Sequence, residues 1–384
     1  MVNRVQTTKE VDSKRELIEL AKLFLKLGTI GFGGPAVHIA MMEEEVVRKR
    51  AWMTEQQFLD SVGATNLIPG PNSTEMTMHI GYETAGLKGL VISGCCFIIP
   101  AVIITAFFAW LYQQYGELPQ VQPFIYGIKP AIIAVIVSLM INLGRKAFKS
   151  VELVAIAFLA ALAVLAGVNE IYVLFGGGLV GIIGYLLKHS NRTTNGFIPF
   201  ALLQVVTPQL SLSNFKLFLA FLKIGSILYG SGYVLFAFLD AELVAKGLLT
   251  KQQLVDAIAV GQFTPGPVFS SATFIGWQIG GPVGAIAATI GIFLPSFLFV
   301  ALLNRLIPIL RRSKIMSAFL DTVNAVSIAI ILSVAIELGR VTLLDWRTIT
   351  IAVLSFAFTF SFKKLNTAFI VIGGAISGYI LYLF

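Results

Sequence analysis

Phe24-Leu25-Lys26-Leu27-Gly28-Thr29-Ile30-Gly31-Phe32-Gly33-Gly34-Pro35 is answered, almost two hundred residues later, by Phe221-Leu222-Lys223-Ile224-Gly225-Ser226-Ile227-Leu228-Tyr229-Gly230-Ser231-Gly232. The echo continues outward from both places. Thr54-Glu55-Gln56-Gln57 is matched by Thr250-Lys251-Gln252-Gln253, Asp60 by Asp256, and Pro69-Gly70-Pro71 by Pro265-Gly266-Pro267. Gly81, Gly89 and Pro100 then recur at a constant interval as Gly276, Gly284 and Pro295. Two such halves in a strongly apolar chain read as the internal repeat of a secondary transporter. That reading favours a solute pathway over an enzyme.

Composition sets the medium. The chain has 384 residues, 57% of them hydrophobic and 12% charged, about half the charged fraction of an ordinary soluble protein. Mean hydropathy is +0.85. Apolar runs of about 20 residues recur from end to end, each long enough to cross a bilayer as a helix. They are too long, and lack the alternation, for a strand barrel. The formal charge of +8 sits in short clusters between apolar segments, as topology signals do, so it is no sign of nucleic acid. Cys95 and Cys96 are adjacent within an apolar run and read as small packing residues. His38, His79 and His189 are too scattered for a metal site.

The segments expected from this pattern divide the chain into a cytoplasmic lead (1–17), a first membrane repeat (18–187), a linker (188–213) and a second repeat (214–384). The first repeat holds apolar segments at 18–42, 56–82, 87–112, 124–143, 151–168 and 171–187. The second holds them at 214–238, 252–278, 283–304, 315–338, 348–361 and 366–384. Lys14, Arg15, Lys22, Arg48, Lys49 and Arg50 flank the first segment, Arg145, Lys146 and Lys149 follow later, and the loop 113–123 has no basic residue. The positive-inside rule puts the former in the cytoplasm and that loop outside. In the second half the matching loop carries Arg305, Arg311, Arg312 and Lys314, which reverses the orientation. The fold class expected is therefore an all-α polytopic membrane protein, its two homologous halves forming an inverted-topology repeat with broken or re-entrant helices. Inversion needs an odd number of crossings between matching points, which makes 196–212 a short extra crossing. A parallel repeat is the alternative.

The first two segments of each half are poor continuous helices. Gly28, Gly31, Gly33, Gly34 and Pro35 interrupt one, and Pro69-Gly70-Pro71 interrupts the next; Pro265-Gly266-Pro267 does the same in the second half. Glycine and proline weaken or break a helix interior. Unwound backbone at membrane depth survives where it lines a cavity or is buried in protein. Half-helices starting after the breaks aim free N–H groups and a positive dipole end inward, which suits an anion. The plainer reading is close packing at the glycines and kinks at the prolines.

Candidate substrate-binding residues follow from this: Lys26, Gly33, Gly34, Pro35, Pro69, Gly70, Pro71, Asn72 and Ser73 in the first half, with Lys223, Gly225, Gly230, Gln262, Thr264, Pro265, Gly266, Pro267 and Ser270 in the second. The lysines supply charge, although Lys26 is near enough to polar sequence to snorkel; the hydroxyls and amides supply neutral donors. Glu75 and His79, one turn apart, are proton-coupling candidates, with a neutralised acid or a local ion pair as the plainer reading. Asp60 and Asp256 read best as helix-start residues that complement the macrodipole. His38 reads as a pore or a capping residue. Glu43-Glu44-Glu45 with Arg48-Lys49-Arg50 reads as a solvated helix face.

No ATP-binding loop, zinc-protease motif, paired-cysteine motif or nucleophile elbow is present. No metal or cofactor is expected, and any coupling comes from an ion gradient or the solute's own gradient. At this point the chain resembles the chromate ion transporter family in its long, two-domain form. The resemblance rests on Gly33-Gly34-Pro35 with His38, on Phe221 to Ser226, on Gly230-Ser231-Gly232-Tyr233, on Gly261-Gln262-Phe263-Thr264-Pro265-Gly266-Pro267, and on Gly291-Ile292-Phe293-Leu294-Pro295-Ser296. It covers about residues 17 to 340.

The resemblance implies a duplicated membrane unit moving chromate across the cytoplasmic membrane, in the direction of efflux, with sulfate as the tetrahedral dianion most easily confused with it. It also implies functional roles for Gly33, Gly34, Pro35, Pro69, Gly70, Pro71, Lys223, Gln262, Pro265, Gly266 and Pro267. The expected partners are a small tetrahedral oxyanion, protons and the lipid bilayer, with no nucleic acid; a homodimer is common among carriers, and nothing here selects an interface. The expected location is the inner membrane, multi-pass, with the amino terminus in the cytoplasm. The rival readings are a carrier of sulfate or another anion, an anion channel, and a scaffold whose repeats only pack.

Overall fold

The computed structural model describes residues 2–32, 34–188, 214–229, 234–303, 313–362 and 367–382. The expected crossing at 196–212 lies outside them, as do Gly33, Gly230, Arg305, Arg311 and Arg312. Among the described residues all regular structure is helical. The first half runs α1 (Val2–Ile30), α2 (Pro35–Glu43) with a wide π-turn (Glu44–Lys49), α3 (Glu55–Thr65), α4 (Asn72–Tyr115), α5 (Gln122–Ala147), α6 (Val151–Leu165) and α7 (Glu170–Lys188). The second repeats that order: α8 (Asn214–Ile227), α9 (Leu235–Leu239) with a π-turn (Asp240–Val244), α10 (Lys251–Phe263), α11 (Ser271–Leu303), α12 (Lys314–Thr342), α13 (Trp346–Ser361) and α14 (Thr367–Tyr382).

Matching sequence makes matching caps. Thr54 Oγ1 accepts from the Gln57 backbone N–H while the Gln57 side chain accepts from the Thr54 N–H, and Thr250 and Gln253 form the same reciprocal pair. Each such box satisfies two backbone donors that a helix start leaves without partners.

α4 and α11 are not straight. The chain turns at Ala85–Gly86 (Gly86 φ 62°) and again at Gly280–Gly281 (Gly281 φ 60°). A Cβ on Gly81 would lie 2.3 Å from the Gly89 carbonyl oxygen, and one on Gly276 would lie 2.4 Å from that of Gly284. Residues eight apart in a continuous helix are separated by about 12 Å. Each element is therefore a hairpin: a short limb (72–84 in α4) folded against a long one (87–115). The long limbs leave an apolar face exposed, with Leu87, Val91, Ile99, Ile103 and Phe107 on α4 and Val283, Ile286, Ile290, Leu298 and Leu302 on α11, as a lipid-facing surface requires.

The helices group into two bodies, and each body draws on both halves. In the first, α1 packs on α4, α8 on α11, and α4 on α11. In the second, α5 and α12 pack together, but α6 and α7 lie on α12 while α13 and α14 lie on α5. Each half thus gives its last two helices to the other half's long helix. Small residues let those backbones meet. A Cβ on Gly127 would lie 2.1 Å from the Gly374 carbonyl oxygen, and one on Gly181 would lie 2.1 Å from Thr322 Oγ1. The same register carries the repeat into these helices, where Ile141-Asn142-Leu143-Gly144-Arg145 is matched by Ile336-Glu337-Leu338-Gly339-Arg340.

Among the described residues five helices are long and apolar enough to cross a membrane, including α5, α7 and α12. The fold is all-α and polytopic: two homologous halves in an inverted-topology repeat with broken, re-entrant helices.

Candidate functional site

The four breaks meet in two crossed pairs. The Gly266 N–H donates to the Gly31 carbonyl (2.8 Å), and the Gly70 N–H donates to the Leu228 carbonyl (2.8 Å). Pro265-Gly266-Pro267 of the second half therefore joins the end of α1, and Pro69-Gly70-Pro71 of the first half joins the end of α8. Glycine is required at both turns. Gly70 has φ 139° and Gly266 φ 88°, where side chains are strained. A Cβ on Gly266 would lie 2.6 Å from Ala101 Cβ; one on Gly70 would lie 2.3 Å from Glu75 Oε1 and 2.5 Å from Ser296 Oγ. Gly34 (φ 81°) turns the chain into Pro35, the first residue of α2. α4 starts directly after Pro71, whose carbonyl accepts from Thr74 and Glu75 N–H. Asn72 and Ser73 sit in that first turn, and Asn72 Nδ2 donates to Asn66 Oδ1 (2.6 Å).

Buried polar groups surround the crossings. Thr74 Oγ1 and Gln262 Nε2 are buried without a hydrogen-bond partner, and the Glu75 carboxyl and Ser296 hydroxyl, which crowd Gly70 together, have none beyond each other. Such groups are costly in a protein interior and call for a ligand, a proton or water. Thr105 Oγ1 donates to Ser270 Oγ across the halves (3.2 Å), while Thr264 Oγ1 donates to its own helix at Val260 (2.8 Å).

His38, fully inside, lies between a break and the start of α4. Its Nε2 is 2.9 Å from the Gly31 carbonyl and its Nδ1 is 3.4 Å from Ser73 Oγ. A carbonyl only accepts, so Nε2 carries the proton and Nδ1 faces the hydroxyl. His79 is buried, yet Glu75, one turn away, makes no hydrogen bond to it. The two candidates for a relay are neighbours without a direct link.

The lysines are held elsewhere. Lys26 Nζ is 3.1 Å from Glu45 Oε1, and Lys49 and Arg50 hold the same carboxylate. The second half repeats this, with Lys223 and Lys246 on Glu242. Burial alone would push the Glu45 carboxyl up, but the hydrogen bonds and charges of Lys26 and Arg50 outweigh it and hold its pKa at about 2. Glu242 is lowered by Lys223 and Lys246 in the same way, again against burial. The acidic-basic run at 43–50 is thus only partly a solvated face, because Glu45 turns inward onto α1. A groove of about 600 Å³ opens beside Lys26, Glu45 and Lys49.

Gly225 serves contact: a Cβ there would lie 2.4 Å from the Ile292 carbonyl oxygen, as one on Gly28 would lie 2.5 Å from that of Phe97. Asp256 corrects the helix-start reading. It is buried, 3.0 Å from Lys129 Nζ, and accepts from the Tyr112 hydroxyl (2.7 Å). Lys129 escaped the sequence analysis, although a lysine inside the apolar run 124–143 was a usable signal. Among the described residues no cluster of His, Cys, Asp or Glu is arranged to hold a metal ion.

Comparison with known proteins agrees with this doubled architecture. The family described as Chromate transporter matches the chain twice, at residues 18–182 and 215–379. The chromate transport protein of Pseudomonas aeruginosa is 28% identical, over 98% of this chain and 95% of that protein. A probable chromate transport protein of Synechococcus elongatus is 30% identical over 95% of this chain and 96% of its own length. The chromate transport protein of Cupriavidus metallidurans is 29% identical over 95% and 93%. No solved structure matches. With one family match on each half, and break for break the same layout in both, the chain belongs to the chromate transporter family.

Proposed function

We propose that this chain is a secondary transporter that carries chromate out across the cytoplasmic membrane, with its amino terminus inside and sulfate as a competing oxyanion. The observation that carries the proposal is the meeting of four helix breaks in two crossed pairs, ringed by buried polar groups that lack partners. A desolvated dianion needs several convergent donors. The first turn of α4 offers backbone N–H groups with Asn72 and Ser73, and the second half offers Gln262 and Ser270, with Thr264 joining them once its hydroxyl turns away from the Val260 carbonyl. Lys26 and Lys223 precede their breaks by about one turn, where an arriving dianion competes with Glu45 and Glu242 for them. The names of the three relatives support chromate as the cargo.

Glu75 is the proton-coupling group in this reading. Its carboxyl is fully buried with no cation bonded to it, and an unpaired carboxylate is expensive inside a membrane. Next to a dianion it must be protonated. Loading chromate protonates Glu75 from the inside and unloading releases that proton outside, so one proton travels with each chromate, a single negative charge leaves per cycle, and an interior-negative potential drives the exit. His79 stands behind Glu75 as a route for that proton through intervening water.

Purified protein in liposomes tests this. Labelled chromate flux is expected to saturate, to fall when sulfate is added, and to respond to an imposed pH gradient. Glu75→Gln is expected to keep flux but lose the pH response. Folded protein that moves neither anion would remove the substrate assignment.

A further inference from the structure

The two halves match in sequence but not in surroundings. α10 is buried along its length from Leu254 to Gln262, wedged against α5, α12 and α14 of the second body. Its counterpart α3 packs on α2 and α4 and leaves Glu55, Gln56, Leu59 and the tip residue Asn66 exposed. Gln262, which occupies the Asn66 position of the second half, is only 5% exposed. One side of the molecule is thus exposed along α3 as far as Asn66, next to a break whose residues Leu67 to Pro71 are buried, and the other is covered by α10.

The closure is ionic. Asp256 in α10 pairs with Lys129 in α5 at 3.0 Å, and Lys251 at the start of α10 pairs with Glu337 in α12. Carrying these four positions across the repeat gives Asp60 and Glu55 in α3, and Asn324 and Asn142 in the long helices. Asp60 now accepts from Gln56 within its own helix (3.3 Å), and Asn142 is exposed.

Resting on the transport reading above, we infer that Lys129–Asp256 and Lys251–Glu337 are positioning pairs that latch α10 shut in this state, and that Asp60–Asn324 and Glu55–Asn142 replace them when α3 closes the opposite side. Two ion pairs hold one end state and two carboxylate–amide contacts hold the other. The repeat makes the two closures geometrically equivalent, while the residue types make them energetically unequal. The cycle is therefore biased toward the state seen here, and the bias is adjustable without touching the helix breaks.

The test is maleimide labelling of Leu59→Cys in membranes, in a chain whose Cys95 and Cys96 are replaced by alanine. Labelling is expected to be fast in this background and to fall several-fold when Glu337→Gln removes one latch. It is expected to fall likewise when Asn142→Lys gives Glu55 a cation. Asn142 is exposed, so that variant keeps the test alive if Glu337→Gln fails to fold. Lys251→Cys/Glu337→Cys, once oxidised, is expected to hold labelling at its fast value and to stop flux until reduced. Equal labelling in the parent, Glu337→Gln and Asn142→Lys chains, with the parent transporting, overturns the assignment. Labelling that shifts as expected in a protein that moves no chromate keeps the two states and discards the cargo.

Discussion

Gly70 and Gly86 both have positive φ, at 139° and 62°, but they differ in what surrounds them. A Cβ on Gly86 meets nothing within 4 Å, whereas one on Gly70 falls on Glu75 and Ser296. Gly86→Ala is therefore expected to cost only the backbone strain of φ 62°, ψ −150°, a conformation that essentially glycine alone adopts, about 1–3 kcal/mol. Gly70→Ala adds a clash beside the buried carboxyl and is expected to lower the thermal midpoint in detergent by several degrees more and to abolish flux; comparing the two melting curves checks it. Glu45 gives a pH prediction. Its pKa falls from 4.5 to about 2 on folding, so its contribution is full above about 4.5 and is lost as pH drops through about 2. The thermal midpoint of the parent is expected to fall between those limits more than that of Glu45→Gln. The Gly-Pro breaks were legible in sequence because those residues act on their own backbone. The partner of Lys26 was not, because a pairing of residues 26 and 45 depends on how the intervening break turns the chain.

At the scale of elements, the hairpins in α4 and α11 depend on two glycine crossings, Gly81 on Gly89 and Gly276 on Gly284. Close approach there has no room for a side chain. Gly284→Leu is expected to force the limbs of α11 apart, to draw the Pro265–Pro267 turn out of reach of Gly31, and to cost more than 3 kcal/mol, in the range of severe overpacking; the yield of folded protein by size exclusion reads this. Thr250→Ala removes one half of a capping box and is expected to cost about 1 kcal/mol, without the collapse expected of Gly284→Leu. Sequence reading placed segment ends near 82 and 278, close to both reversals, because Glu83-Thr84-Ala85-Gly86 and Ile279-Gly280-Gly281-Pro282 interrupt the apolar run. It did not show that the limbs fold back on each other, since hydropathy reports the medium around a helix and not its direction. Asp256 was misplaced for a related reason: at the second turn of α10, dipole compensation and ion pairing look alike until the helix that covers it is known.

For the whole molecule the decisive feature is the exchange of helices between halves. α6 and α7 rest on α12, while α13 and α14 rest on α5, so neither half can bury its own interior. Sequence reading found two matching units and divided the chain at the linker. Periodicity marks which face of a helix is buried, but not which half buries it, and so the exchange stayed hidden. It sets apart two ways of cutting the molecule. A nick in the linker at 189–213 severs a covalent join and leaves every exchanged contact in place, so the two pieces made together are expected to assemble one to one and to carry chromate. Either piece made alone lacks the partner for its long helix, exposes close-packed glycines (Gly127 and Gly181 in the first piece, Gly374 and Gly378 in the second) where the other half should lie, and is expected to be degraded or aggregated. Co-purification through a tag on one piece, followed by flux in liposomes, checks both halves of the prediction. A first half that folds and stays monodisperse alone would mean that α6 and α7 can return to α5, and that the exchange is not what holds the bodies together.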